Sequence, residues 1–303
     1  MTNLTITHEI DREVVVRDGD VELFRYVYIP DNVQLESPRP YFYPIRTRAG
    51  LDTGLYRPHD HVWHKGITWS LPVVNNENFW GGPTYVTGEG YVQLPNNGTQ
   101  GHRRFTELSQ SPERVVIEHE LDWTTEAGLP YFSETRRITA QVASDDAWIL
   151  TFETVLDNVS GAPISIGSPT TRGRDNAGYG GLFWRGLRSF TDGELVTSDG
   201  TGTGSDLRGQ RHEWMAYAGK HDHIDASSLV LMLDDTQNPH HPPQWFARSE
   251  EFAALNPAPF FSEEVVIAAG ESATFRYGVG IADGVTADAP ALAETVRGIL
   301  SKG

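Results

Sequence analysis

RVVIEHEL, residues 114–121, alternates along its length: Val115, Ile117, His119 and Leu121 fall on one side of an extended chain, Glu118 and Glu120 on the other. Successive side chains of a strand point to opposite faces, so this pattern predicts a strand with one buried and one solvated face. Similar runs recur. VELFRYVYI (21–29) alternates imperfectly but is rich in strand formers. YFSETRRITAQV (131–142) puts Glu134, Arg136 and Ile138 on one side, and WILTFETVLDN (148–158) ends in an Asp-Asn turn. LVLML (229–233) is continuous enough for a buried strand. In EEVVIAAGESATFRYGVGI (263–281) a turn around Gly270 separates two strands, the second aligning Phe275, Tyr277, Val279 and Ile281.

Helix is scarce. The last residues, DAPALAETVRGIL, predict one helix over about 288–301, with Asp288 as cap, Pro290 in the first turn and Leu292, Val296, Ile299 and Leu300 as an apolar stripe. More than ten short strands and one terminal helix predict an all-β fold, a large antiparallel β-sandwich forming a single domain over 1–303. SDGTGTGSDLRG (198–209) reads as a surface excursion, or else as a mobile loop over a site.

The chain has 303 residues, no cysteine, and 24 Lys+Arg against 41 Asp+Glu, for a net charge of −17. Absent cysteine excludes disulfides, zinc-thiolate sites and a thiol nucleophile. The acidic balance argues against nucleic acid and anionic lipid as partners and leaves small molecules open. No apolar run approaches the ~18 residues of a membrane span. The opening residues lack a basic region followed by an apolar core. The expectation is a cytoplasmic protein; oligomeric state is not legible.

Three segments concentrate chemistry. RPHDHVWHKG (57–66) holds His59, His61 and His64 of the chain's 11 histidines, with Arg57 ahead of them and Trp80 downstream. If the strand continues, His59 and His61 project together and Asp60 alternates away; His64 joins them only if Val62–Trp63 bends. Two imidazoles so spaced suit a divalent metal only with a remote third ligand, such as Glu118, Glu120, His221, His223, His240 or His241. Otherwise the cluster serves proton transfer or sugar hydroxyls without a cofactor, or is structural. In RGRDNAGYGGLFWRG (172–186), Gly180–Gly181 permits close backbone approach and Arg185 lines a cleft or satisfies a buried acid. In NPHHPPQWFAR (238–248), prolines stiffen His240 and His241 so that at most one enters a given pocket, and Trp245 and Arg248 follow. His119, on an apolar strand face, reads as a satisfied core histidine.

PYFYPIRTRAGLDTGLYRPHDHVWHKGITWSLPVVNNENFW (40–80) resembles the PmoA-like domain of unknown function, labelled methane oxygenase-like, at Pro58, His61, His64, Lys65, Gly66, Phe79 and Trp80. GYGGLFWRG, PPQWFARSEEFAALNPAPFF and AAGESATFRYGVGIADG resemble its later blocks. The closing pattern is also similar to that of galactose-mutarotase-like supersandwich proteins, which implies a curved β-face that binds sugar through His, Arg, Glu and Trp. These readings combine into a carbohydrate-active protein. His61 and His64 are the expected proton carriers. Arg57, Trp80, Arg185, His241, Trp245 and Arg248 are the expected ligand contacts. The alternatives are a metal enzyme using His59 and His61, and a non-catalytic sugar-binding module.

Overall fold

A computed structural model describes residues 3–302. In chain order, the strands of its two large sheets are β1 (Leu4–Glu9), β2 (Glu13–Asp18), β3 (Val21–Val27), β4 (Tyr41–Ile45), β5 (Ile67–Ser70), β6 (Thr99–Gln110), β7 (Arg114–Thr124) and β8 (Pro130–Val142). They continue as β9 (Ala147–Asn158), β10 (Gly181–Arg185), β11 (Glu194–Thr197), β12 (Gly200–Gly202), β13 (Trp214–Lys220), β14 (Ser227–Asp234), β15 (Ala254–Leu255) and β16 (Ser272–Asp283). One sheet runs β1-β2-β3-β4-β5-β10-β15, the other β12-β11-β13-β14-β16-β9-β8-β7-β6. The pairings within both are antiparallel, as in the β6–β7, β7–β8 and β8–β9 meander. The fold is a large antiparallel β-sandwich with a short C-terminal helix.

Alternation dictates what the sandwich buries. In β7 the side chains of Val115, Ile117, His119 and Leu121 are buried. Glu118 and Glu120 face outward to Arg137 and Arg104. His119 is satisfied as a core group: Nε2 meets the Tyr26 hydroxyl at 2.8 Å and Nδ1 meets His102 Nδ1 at 2.9 Å. Arg136 donates to that same hydroxyl, so Tyr26 donates onward to His119 and His119 to His102. In β8 the inward side carries Glu134 and Arg136 as a buried ion pair at 2.7 Å. Trp123 and Thr154 donate to the remaining carboxylate lone pairs, so both charges are hydrogen-bonded out of water.

The middle of β14, Leu229–Leu233, is continuously apolar because both of its faces are covered. Val230 and Met232 enter the core between the sheets with Trp69, Trp148 and Trp184. Leu229, Leu231 and Leu233 face helix α2 (Ala289–Leu300; a shorter α1, Gly204–Leu207, precedes it). Leu292, Val296 and Leu300 are the buried stripe of α2, and Gly278 of β16 makes room for it: a Cβ there would lie 2.4 Å from Val296 Cγ1. Asp288 does not cap α2 with its side chain. Its Oδ2 instead accepts from the Val285 amide at 2.9 Å and closes the turn before the helix.

Residues 198–209 are also more ordered than their glycines suggest. They form the turn and second strand of the β11–β12 hairpin and then α1, whose Thr203 and Asp206 make a reciprocal capping box. Arg208 Nε donates to the Ala247 carbonyl at 3.2 Å, and Gly204 N to Ser249 Oγ at 2.8 Å, pinning the segment down. Among the described residues no helix is long and apolar enough to cross a membrane.

Candidate functional site

The His-rich segment leaves β4, returns to the sheet at β5, and bends twice between. Amide donation from His61 to the Pro58 carbonyl and from His64 to the His61 carbonyl, both 2.9 Å, makes two consecutive turns. Arg57, with φ of 47°, starts the first of them. The extended continuation therefore does not occur. His61 and His64 become neighbours, their rings stacked at 4.7 Å with 20° between planes. His59 turns away, its Nδ1 meeting Arg188 Nη2 at 3.0 Å. Trp63 lies over the Gly81–Gly82 backbone, where any Cβ would come within 2.7 Å of it.

The two imidazoles present opposite polarity. His61 Nδ1 lies 3.0 Å from Asp60 Oδ2. Burial alone would raise the Asp60 pKa, but hydrogen bonds from His61 and Arg188 and the charge of Arg185 hold it well below the usual carboxylate range. An ionised carboxylate only accepts, so the His61 proton sits on Nδ1 and Nε2 carries a lone pair. At His64 the partner is Arg185, whose Nη1 donates to Nδ1 at 3.1 Å. A guanidinium only donates, so Nδ1 is the acceptor and Nε2 holds the proton. Burial depresses both pKa values. Asp60 pulls His61 partly back, whereas His61, Arg185, Arg39 and Arg248 push His64 further down. Near neutrality one ring offers an acceptor and the other a donor.

Both line a cleft of about 520 Å³. Its wall is a closed belt of contacts: His64 to Trp80 (5.7 Å), Trp80 to Tyr179 (4.7 Å), Tyr179 to Phe246 (5.4 Å), Phe246 to the Arg248 guanidinium (5.4 Å), Arg248 to Phe252 (5.3 Å) and Phe252 back to His64 (5.9 Å). Arg185, from β10, stacks 3.8 Å from the Phe252 ring centroid behind this belt. It is fully buried, and its Nε and Nη2 lack hydrogen-bond partners. Arg174 bonds the Tyr91 hydroxyl, and Tyr91 in turn bonds Tyr179 at 2.8 Å. An apolar cleft with a few convergent polar groups is the usual form of a small-molecule site.

The structure brings His61, His64, Trp80 and Arg248 to this cleft, with Arg185 directly behind. It takes three expected contacts elsewhere. Arg57 grips the buried Glu36 carboxylate at 2.6 Å, beside Lys65, also at 2.6 Å. His241 bonds Asp234 at 2.8 Å in a separate, smaller pocket of about 240 Å³. Trp245 is fully buried and donates to the His212 carbonyl at 2.7 Å. His240 goes a third way, to the Pro259 carbonyl, so the adjacent histidines do diverge. Gly180 and Gly181 are approached by the chain itself: Asn256 accepts from the Gly180 amide at 2.9 Å. Among the described residues no three His, Asp or Glu side chains are grouped to hold a metal ion. Reasoning from sequence missed Asp60, Tyr91, Arg174, Tyr179, Phe246, Glu251 and Phe252. For Phe246 a signal existed, since alternation places it with Arg248 and opposite Trp245.

No curated protein matches the chain by sequence. A family described as one of unknown function matches residues 13–297. Among solved structures, a heparan sulfate lyase HepC mutant from Pedobacter heparinus aligns at 8% identity and TM-score 0.42, covering 94% of this chain and 36% of that one. A GalM/aldose epimerase homologue from C. elegans aligns at 10% identity and TM-score 0.34, and galactose 1-epimerase from Lactobacillus acidophilus NCFM at 11% and 0.37. Each of these two covers 94% of this chain and 99% of its own. The chain thus spans just over a third of the lyase it matches.

Proposed function

The chain belongs to DUF6807, a family of unknown function, and we propose that this member binds a carbohydrate or carbohydrate derivative in the cleft and performs acid–base chemistry on it. One observation carries the reading: the opposed polarity of His61 and His64 on the wall of an aromatic cleft. A sugar hydroxyl gives its proton to His61 Nε2, with Asp60 stabilising the imidazolium that forms. His64 Nε2–H donates to the oxygen where negative charge develops. Trp80 and Trp63 offer flat faces to the C–H side of a sugar ring. Epimerisation, hydrolysis and elimination at a sugar each use an acid–base pair of this kind. The methane-oxygenase label draws no support from these residues. A metal-dependent route through His59 and His61 draws none either, since Arg188 faces the His59 nitrogen.

The test is His61→Ala and His64→Gln, scored by thermal melt, by ligand-induced shift and by proton NMR of aldoses, ketoses and uronates for turnover. His61→Ala should lower turnover by ~10²–10⁴ with little change in melting, because His61 is over a third exposed. His64→Gln keeps an acceptor for Arg185. His64→Ala instead leaves a buried guanidinium N–H unpaired, at about 1–3 kcal/mol. A His61→Ala protein that melts several degrees lower yet keeps every ligand shift and any turnover makes the cluster structural. Binding without turnover, unaffected in kind by His61→Ala, supports a non-catalytic sugar-binding module.

A further inference from the structure

Three guanidinium groups gather at the cleft: Arg174 and Arg248 line it, and Arg208 shares the Phe246 ring with Arg248. Arg248 lies 5.4 Å and Arg208 5.8 Å from the Phe246 centroid, and Arg174 reaches in from beside Tyr91. The rest of the molecule offers abundant acid, at net −17, yet neither Arg174 nor Arg208 has a carboxylate partner among the described residues. Arg248 holds only Glu251, an exposed side chain on the rim. Burial, and then the other two cations, depress the pKa of Arg248 to about 10, and the Glu250 carboxylate pulls it only partly back. Arg185 adds a fourth positive charge behind the wall, with two donor nitrogens unmet and its nearest carboxylate oxygen, on Asp60, at 3.8 Å. Binding of neutral hydroxyls does not require such a concentration of like charge, and uncharged amides would serve it without the repulsion. An oxyanion in the cleft relieves that repulsion.

We infer that the cleft is built for an acidic sugar, with the ligand's carboxylate seated at Arg174 and Arg248, to which Arg208 adds its charge from outside the lining, while its ring lies along the aromatic belt toward His61 and His64. This rests on the carbohydrate reading above and narrows it to a uronate-type ligand. Glu251 occupies Arg248 until the ligand carboxylate displaces it.

Calorimetry on the full chain tests it, with D-glucuronate and D-galacturonate against D-glucose and D-galactose, and with acetate and sulfate as bare anions. The proteins are wild type, Arg174→Gln, Arg208→Gln and the double variant, each first checked by thermal melt. The uronates should bind roughly 10- to 100-fold tighter than the matched neutral sugars. The double variant should bring the two classes within about threefold of each other, and added salt should narrow the wild-type gap. Equal binding of neutral and acidic sugars by wild type overturns the inference, as does a preference that survives loss of both arginines. If acetate or sulfate binds wild type and not the double variant while no sugar binds at all, the anion subsite stands and the carbohydrate reading falls. If no probe of either kind binds, both fall.

Discussion

Asp60 sets the polarity of the histidine pair through a single hydrogen bond to His61. Asp60→Asn should therefore free the His61 tautomer. We expect turnover to fall at least about a hundredfold, given what an oriented base contributes, with melting within a few degrees, since Asp60 is about a third exposed. Wild-type turnover in that variant would remove Asp60 from the mechanism. A second residue-scale expectation concerns acid. Burial holds the pKa of His64 and of His119 well below 6.5. The unfolded chain takes up protons on these rings below about pH 6.5 while the fold resists. Their contribution to stability is therefore complete above that value and lost as pH falls through the folded values. His241 is raised by Asp234 and works in the opposite sense. Urea midpoints should drop between pH 6.5 and 5, before carboxylates titrate; a flat profile there contradicts this account. At this scale the sequence was most legible where alternation alone decides orientation. Val115 to Leu121 faced as their spacing predicts. Arg57 and Asp60 were not legible, because two successive turns cancel the alternation that would have sorted them, and those turns supply the bend on which the pairing of His64 with His61 depended.

Glycines anchor the elements that carry the cleft. Gly66 joins the His-rich loop to β5, donates to the Leu55 carbonyl and accepts from the Arg185 amide, and has φ of 54°. A Cβ there would lie 2.1 Å from the Phe42 carbonyl oxygen. Gly66→Ala should cost about 3 kcal/mol or more, combining overpacking with left-handed strain, and a urea-derived loss under about 1 kcal/mol would contradict the placement. On the opposite side, the β11–β12 hairpin and α1 brace the Arg248 segment. Trypsin should spare Arg208 until the fold opens. Early cleavage there would mean that this segment is not packed against the cleft wall. Glycine content had suggested an excursion, but it could not show the capping box or the bonds to Ala247 and Ser249 that order it. Strands β7, β8 and β9 and helix α2 were legible because their periods run for eight residues or more, whereas β6 was not read. Two-residue strands such as β15 carry no period to read.

At the scale of the molecule, two antiparallel sheets present one aromatic cleft, and an acidic chain gathers unpaired arginines beside it. The sandwich predicts a far-UV circular dichroism spectrum dominated by strand, with helix far below the globular norm of about a third; helix above that would contradict the architecture. The sheets were legible from composition and alternation. Of the residues that converge on the cleft, His61, His64, Trp80 and Arg248 were expected together, whereas Tyr179, Phe246 and Phe252 were not, because their placement depends on how distant loops meet. The central claim is that His61 offers a lone pair and His64 a proton to the same cleft. Long-range proton–nitrogen correlation NMR of the imidazole rings, assigned with His61→Ala and His64→Gln, reads this directly at pH 7.5. The account predicts a neutral His61 protonated on Nδ1 and a neutral His64 protonated on Nε2. Two rings in the same tautomer, or a His61 already cationic at that pH, would contradict it.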